Sequence, residues 1–400
     1  MVNFGYTPRH SGAPAVKVAR GERRAASPAV VPKERSPGVS RAQVAIISGT
    51  AVALLVIVTF FATGATPNDV RAGCAAGTTG AGCRGPASTA APAGGPANAP
   101  SVRVFQGSQY RFDGPSAIAA GGGVWVTNVL GNTVTRLPGN AGGKTAVLPA
   151  GYGFDGPNAL AIGAGRVWIA NVPANSLTEV NAATGRLIRV FSGGYALSSP
   201  YALLIHQQRL WVANAASDRI TEINAATGQL VRTVGGARYH FDNPYALAAA
   251  GGRLWVANSG GNSVTVLDAG TGSFVTRLTT GYHLDDPTAL AAAGGAVWVA
   301  SYAGDTVTEI SATTRKVIRV LDRDYGLDNP AALAVSDGIL WIANALGNSV
   351  TEVNARTGAL IRVLSGVAYH FRDPTGITAS GKTAWVTSMG GNSVTRLRVP

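Results

Sequence analysis

Three histidines hold the same place in a recurring phrase. His240, His283 and His370 each follow a tyrosine and stand four residues before a proline. An imidazole exchanges protons near neutral pH and ligates metals, so these are the candidate catalytic bases. Tyr201 and Tyr245 directly follow prolines of the same phrase, and a phenol ring both stacks on a ligand and hydrogen-bonds to it. Arg111 and Arg372 offer guanidinium donors and Asn158 an amide. A metal shared by the histidines would need its ligand atoms about 2 Å away. Copies of one loop position on separate repeats seldom converge so tightly, and no metal or other cofactor is expected. No Ser-His-Asp order or carboxylate pair stands out locally, although such groups assemble in space.

The elements that position these residues come from a repeat. The seven tryptophans are Trp125, Trp168, Trp211, Trp255, Trp298, Trp341 and Trp385, with spacings of 43, 43, 44, 43, 43 and 44. A fixed period of about 40–50 residues marks one supersecondary unit copied end to end. Tyrosine opens every copy, at 110, 152, 195, 239, 282, 325 and 369, and proline follows five residues later. A threonine of the third segment also recurs in all seven, at 135, 178, 221, 265, 308, 351 and 395.

Each copy holds four short apolar segments. In the fourth they are Ala246–Ala250, Arg253–Ala257, Ser263–Asp268 and Phe274–Leu278. Gly, Asn and Asp separate them, as hairpin turns require, and they are too short for helices. Four antiparallel strands make a propeller blade. The expected fold is therefore all-β, a seven-bladed β-propeller over residues 101–400. The last copy, from Tyr369 to Pro400, has segments for three strands only. The fourth-strand pattern stands ahead of the first copy as Val102-Arg-Val-Phe, so the N-terminal strand is expected to complete the last blade and close the ring.

Most of the invariant frame has structural work. The tryptophan sits mid-strand and is expected to fill the gap between neighbouring blades; burial of such a ring contributes roughly 2–3 kcal/mol. The Asn pair around the second hairpin (Asn258 and Asn262, with equivalents in every copy) is expected to bond the turn backbone, as is the Asp two before the proline at 113, 155, 242, 285 and 328. Deviations within the frame are the informative positions. After the tyrosine they are Arg111, Gly153, Ala196, His240, His283, Gly326 and His370; after the proline, Ser116, Asn158, Tyr201, Tyr245, Thr288, Ala331 and Thr375. Arg372 replaces the usual Asp in copy seven. The loop entering the innermost strand and the loop of the second hairpin share one propeller face, which is expected to carry the ligand site.

The first hundred residues differ in kind. Met1–Arg41 carries eight Lys or Arg and two Glu without apolar periodicity, and reads as a disordered cytoplasmic segment. Ala42–Thr63 follows with 22 residues and no charge, enough for a transmembrane helix. Its basic flank puts the N-terminus in the cytoplasm and the propeller outside. A cleaved signal peptide, with Gly64-Ala65 near a permissive site, is the competing reading. Residues 64–100 form a Gly/Ala/Pro-rich linker holding the only cysteines, Cys74 and Cys83, which an oxidising compartment would pair. The net charge of +13 divides as +6 before the apolar segment, +1 in the linker and +6 in the repeats. With the propeller outside and no basic stripe with interleaved aromatics, nucleic acid is not an expected partner.

The unit Trp-Val-Ala-Asn-x-x-x-Asn-Ser-Val-Thr-x-Leu/Val-Asn/Asp-x-x-Thr-Gly resembles the YVTN-type propeller repeat, and is similar to NHL repeats and to those of virginiamycin B lyase. The resemblance spans residues 101–400 and implies the propeller fold. The lyase family carries a magnesium ion and a catalytic histidine, and its repeats commonly read Trp-Phe-Thr-Glu. Here the same stretch reads Trp-Val/Ile-Ala/Thr-Asn/Ser, and the glutamate is missing from all seven copies. The resemblance therefore does not carry the activity over. WD-repeat and kelch signatures are absent.

The expected function is that of a single-pass membrane protein whose monomeric extracytoplasmic propeller binds a cell-envelope component or a partner protein through Tyr201, Tyr245, His240, His283, His370, Arg111, Arg372 and Asn158. The alternative is a lyase- or hydrolase-type enzyme with one of the three histidines as a base in the channel mouth. A purely structural spacer is the third reading.

Overall fold

A computed structural model describes residues 99–139 and 144–400. Among these residues, seven four-stranded antiparallel sheets form one blade each. In blade 4 the strands run outward from the axis as Pro244–Ala250, Arg253–Asn258, Ser263–Asp268 and Phe274–Leu278. The inner strand thus starts at the proline, two residues before the apolar pattern suggests. Blades 1 to 7 begin at Pro115, Pro157, Pro200, Pro244, Pro287, Pro330 and Pro374.

The ring closes as the missing strand requires. Ser101–Phe105 pairs antiparallel with Ser393–Arg398 and becomes the outermost strand of blade 7, with Val104 opposite Thr395. Phe105 is buried there, its ring 5.3 Å from Trp385. The same contact recurs within blade 2, where Phe191 lies 5.1 Å from Trp168. All seven indoles are buried, between 0 and 4 % exposed. Each joins apolar side chains of two blades: Trp255 packs with Val264 and Leu278 of its own blade and Val297, Val299 and Ile310 of the next.

The invariant polar residues tie the blades in two ways. The recurring threonine donates its hydroxyl to the carbonyl of the tyrosine that opens its own copy, in all seven blades, over 2.7–3.3 Å. The first Asn of the pair donates to that threonine: Asn258 Nδ2 lies 3.0 Å from Thr265 Oγ1, and Asn128, Asn171, Asn214 and Asn344 do likewise. The second member does something the local turn reading misses. Its Oδ1 accepts the backbone N–H of the residue before the proline of the following blade. The bonds run from Gly114 to Asn392, Gly156 to Asn132, Ser199 to Asn175, Asn243 to Asp218, Asp286 to Asn262, Asn329 to Asp305 and Asp373 to Asn348, at 2.6–2.9 Å. The frame recurs because every junction needs the same bond.

Charged residues of the blade walls are spent in pairs. Glu179, fully buried, is held by Arg166 and Arg189, and Glu222 by Arg209 and Arg232. Glu309 and Glu352 pair with Arg319 and Arg362. The expected cytoplasmic segment 1–41, membrane span 42–63, most of the linker 64–100 and the Cys74–Cys83 pair lie outside the described residues. Among the described residues, no helix is long and apolar enough to cross a membrane.

Candidate functional site at the axial mouth

A bulge places the residue after each proline. In blade 4, Pro244 faces Asn258 while Ala246 faces Ala257, so Tyr245 is the extra residue with no partner across the hairpin. The same slip occurs at Asn158, Tyr201, Thr288, Ala331 and Thr375. In blade 1 it falls between Pro115 and Ile118, at or beside Ser116. Bulges re-aim side chains out of the regular ladder. At Ser116, Asn158, Tyr201, Tyr245 and Thr375 the side chain meets the neighbouring inner strand, at the end where the entering loops lie. Ser116 Oγ lies 3.0 Å from Asn158 Oδ1, across blades 1 and 2. Thr375 Oγ1 donates to the carbonyl of Pro115 at 3.4 Å, across blades 7 and 1. The rings of Tyr201 and Tyr245 stand 4.5 Å apart across blades 3 and 4. Burial pushes both phenols above their ordinary pKa, Tyr245 the further.

Among the described residues, these contacts join blades 7 and 1, 1 and 2, and 3 and 4. The Thr288 hydroxyl oxygen is buried and has no hydrogen-bond partner, and the next position round the circle is Ala331, which has no polar group to offer. Tyr302 is the first residue of the second-hairpin turn of blade 5. Its N–H donates to the carbonyl of Asp286 at 2.9 Å, and its own carbonyl accepts from Asn329 Nδ2 at 3.0 Å. Burial raises the pKa of its hydroxyl, and the charges of Asp373, Asp286, Asp328 and Asp305 raise it further. Asp286 and Asp373 are the pre-proline residues of blades 5 and 7, in the left-handed region with φ of 53° at both. Burial lifts both carboxyls above the usual range, helped at Asp286 by the neighbouring Asp285. Asp305 is neutralised by Arg323.

Of the residues read from the sequence, Tyr201, Tyr245 and Asn158 come together in this mouth. The three histidines do not, which corrects their placement in the channel mouth. The position after the tyrosine closes a turn in the left-handed conformation, with φ of 50–54° at Arg111, His240, His283 and His370. At His240, Gly153 and Gly326 it faces the outermost strand of its own blade. His240 meets the Phe274 ring of that strand edge-on at 5.9 Å. At the glycines of the same position, a Cβ would touch Val190 on Gly153 and Val363 on Gly326, both on outermost strands. His283 lines a shallow cleft with Arg277 and Thr279, at the end of the outermost strand of blade 4. Arg111 takes the same rim position, and exposed Arg372 lies over the Gly390–Gly391 turn, its carbonyl accepting the N–H of Gly390 at 3.1 Å. All three histidines are exposed.

Sequence reasoning missed Tyr302, Asp286 and Asp373. The signal lay in their columns of the repeat. Tyr302 stands alone among Val129, Val172, Ala215, Ser259, Ala345 and Met389, and the two aspartates stand among Gly114, Gly156, Ser199, Asn243 and Asn329.

The donors present do not fit the magnesium ion that the lyase resemblance would imply. Where those repeats carry glutamate, this chain has Asn or Ser, and Asn258 and its like are tied to the frame threonine. Among the described residues, no three His, Cys, Asp or Glu side chains stand close enough to hold a metal.

No family model matches the sequence, and no curated protein matches it. Solved structures do match. Virginiamycin B lyase from Staphylococcus aureus aligns at 17% identity over 75% of this chain and 100% of that one, with a TM-score of 0.64. A chain of the mitotic checkpoint complex aligns at 12% identity over 82% of this chain and 98% of its own, at 0.62. One from Kuenenia stuttgartiensis hydrazine synthase aligns at 17% identity over 72% of this chain and 96% of its own, at 0.59. Similarity at these identities is similarity of fold, and the chain is a seven-bladed β-propeller built like the virginiamycin B lyase from Staphylococcus aureus.

Proposed function

We propose that this protein is a binding propeller, held at the outer face of a membrane by residues 42–63, that captures a cell-envelope ligand or partner in its axial mouth. The observation that carries the reading is the circle of bulge residues. A recurring frame puts one bulge residue per blade at the same place, and those residues range in chemistry from Ala331 to Asn158 and Tyr245. Frame residues are accounted for by hydrogen bonds between and within blades; the bulge residues are the part free to vary with a ligand. A concave, largely preformed site with an aromatic wall and a few polar groups is the usual form of a binding site.

The lyase- or hydrolase-type alternative needs a base at the channel mouth. With the histidines on the outer rim, no observation favours it.

The reading is tested by thermal-shift measurements on the full chain with a panel of saccharides, amines, carboxylates and short peptides. Tyr201→Ala and Asn158→Ala are compared with the rim variants His240→Ala and His370→Ala. Alanine is native to the rim position, where Ala196 has φ of 51°. Stabilisation by at least one panel class, lost in the mouth variants and kept in the rim variants, is the expected result. Stabilisation lost in the rim variants instead, or seen with no class, overturns it.

A further inference from the structure

Blade 7 departs from its sisters on its two outer strands. In blades 2, 3, 5 and 6 the third-strand residue opposite the tryptophan is a glutamate: Glu179, Glu222, Glu309 and Glu352. Across from it on the fourth strand stands an arginine: Arg189, Arg232, Arg319 and Arg362. Each of these arginines holds its glutamate, with Nε 2.6–3.1 Å from Oε2. The fourth-strand arginine thus seats an oxyanion in four blades. In blade 7 the same register sets Arg396 opposite Trp385, and Arg103 opposite Arg396. The fourth-strand arginine is kept, and a second cation replaces its carboxylate. Side chains directly opposite on neighbouring strands have Cβ atoms about 4.5–5.5 Å apart, and like charges there repel.

A third cation joins the pair. Arg398 lies two residues beyond Arg396 on the same strand, hence on the same face of the sheet, opposite Ser101. In blades 2 to 6 that column holds Asn181, Asn224, Asp268, Ser311 and Asn354, whose side chains accept N–H groups of the turn joining the third and fourth strands. Blade 7 draws its fourth strand from ahead of blade 1. It therefore has no such turn, and Arg398 stands exposed. The guanidinium carbons of Arg103 and Arg396 lie over the rings of Phe105 and Trp385, 4.7 and 5.6 Å from their centres. Those two rings are 5.3 Å apart. Among the described residues, none of the three arginines has an acidic partner. Burial lowers the pKa of Arg396, and the charges of Arg103 and Arg398 lower it further.

We propose that Arg103, Arg396 and Arg398 form a phosphate site on the outer strands of blade 7, filled by free phosphate or by the phosphodiester of a lipid headgroup. Guanidinium forks match phosphate oxygens bidentately. In blade 2 a single carboxylate, Glu179, already answers two arginines. Three cations outnumber a carboxylate, and a phosphate brings more oxygens to share among them. The lipid source rests on the proposed tether. Arg103 sits on the first strand after the linker that leads from 42–63, and clustered basic residues beside a bilayer attract anionic headgroups. The site lies on the rim and stands or falls independently of the axial mouth.

The test is isothermal titration calorimetry of the full chain in a neutral detergent. The probes are inorganic phosphate, acetate and dihexanoyl phosphatidylglycerol, each against sodium chloride at equal ionic strength. Saturable phosphate binding is expected, with acetate roughly tenfold weaker and chloride without effect. Phosphatidylglycerol binding more tightly than phosphate assigns the site to a headgroup, and weaker binding assigns it to free phosphate. Arg103→Gln and Arg398→Gln each weaken phosphate binding about fivefold. Arg396→Glu recreates the ion pair of the sister blades, so it abolishes phosphate binding and raises the Tm in phosphate-free buffer. Arg186→Gln, on the exposed turn between the outer strands of blade 2, changes neither. Absence of saturable phosphate binding, heat reproduced by chloride, or binding indifferent to Arg103→Gln and Arg396→Glu overturns the inference.

Discussion

Asn392 Oδ1 accepts the backbone N–H of Gly114 at 2.9 Å, joining blade 7 to blade 1 across 278 residues of sequence. The bond is the same one that joins every other pair of neighbours, so the ring has no chemically distinct seam on this face. Asn392 also holds φ of 45°, a left-handed conformation that costs asparagine less than alanine. Asn392→Gly removes the acceptor while keeping the backbone, and should cost about 1 kcal/mol. Asn392→Ala adds the backbone penalty, about 1–2 kcal/mol more. Urea unfolding of the two variants measures both terms. Equal stabilities for Asn392→Gly and the parent chain would remove the staple from the account.

Phe105 tests the other half of the closure. It belongs to the strand supplied from the N-terminal side, yet it meets Trp385 as Phe191 meets Trp168 inside an uninterrupted blade. Truncation of a buried phenylalanine costs roughly 3–5 kcal/mol. Phe105→Ala and Phe191→Ala should fall in that range together when thermal or urea midpoints are compared. A Phe105→Ala effect several-fold smaller would mean that the strand is an ornament of blade 7 and not its latch.

The blade count, the latch and the buried indoles were legible because each rests on periodicity, and a seven-fold repeat prints the same pattern seven times. The site was legible only in part. Tyr201 and Tyr245 stood out as deviations in one column, but so did His240, His283 and His370 in another. What separates the two columns is a bulge, which turns Tyr245 to the mouth, and a left-handed turn, which turns His240 outward to Phe274. Neither is written in side-chain chemistry alone. The second Asn of each pair was read as a local turn residue because sequence shows a turn's own backbone and hides the next blade's. Tyr302 is a single-copy departure and aspartate before the proline occurs in only two copies, Asp286 and Asp373, so averaging over repeats suppresses them.

The raised carboxyls of Asp286 and Asp373 give stability a defined pH dependence. A folded-state pKa above the unfolded value means that the native state binds more protons in the window between the two. Stability contributed by these groups is therefore full at pH below the ordinary carboxylate value and declines as pH rises to the raised one. Asp286→Asn and Asp373→Asn remove that loss. Each should raise the Tm at pH 7, by roughly 1–3 °C, with the gain disappearing near pH 3. A Tm at pH 7 lowered by either substitution would mean that the carboxylate has a stabilising partner.

Cys74 and Cys83 offer a test of the proposed membrane topology. Both follow the uncharged run 42–63 and precede the repeats, so they share the compartment of the binding mouth. On the proposed topology, the charge bias that orients single spans keeps the basic flank before that run in the cytoplasm. In intact cells, a membrane-impermeant maleimide should therefore label the pair, and only after reduction, since an oxidising compartment favours the disulfide. The labelled protein should stay with the membrane fraction. Labelling only after the cells are opened would place the propeller in the cytoplasm. Release of a labelled chain into the medium would assign 42–63 to a cleaved signal, leaving the mouth outside but untethered.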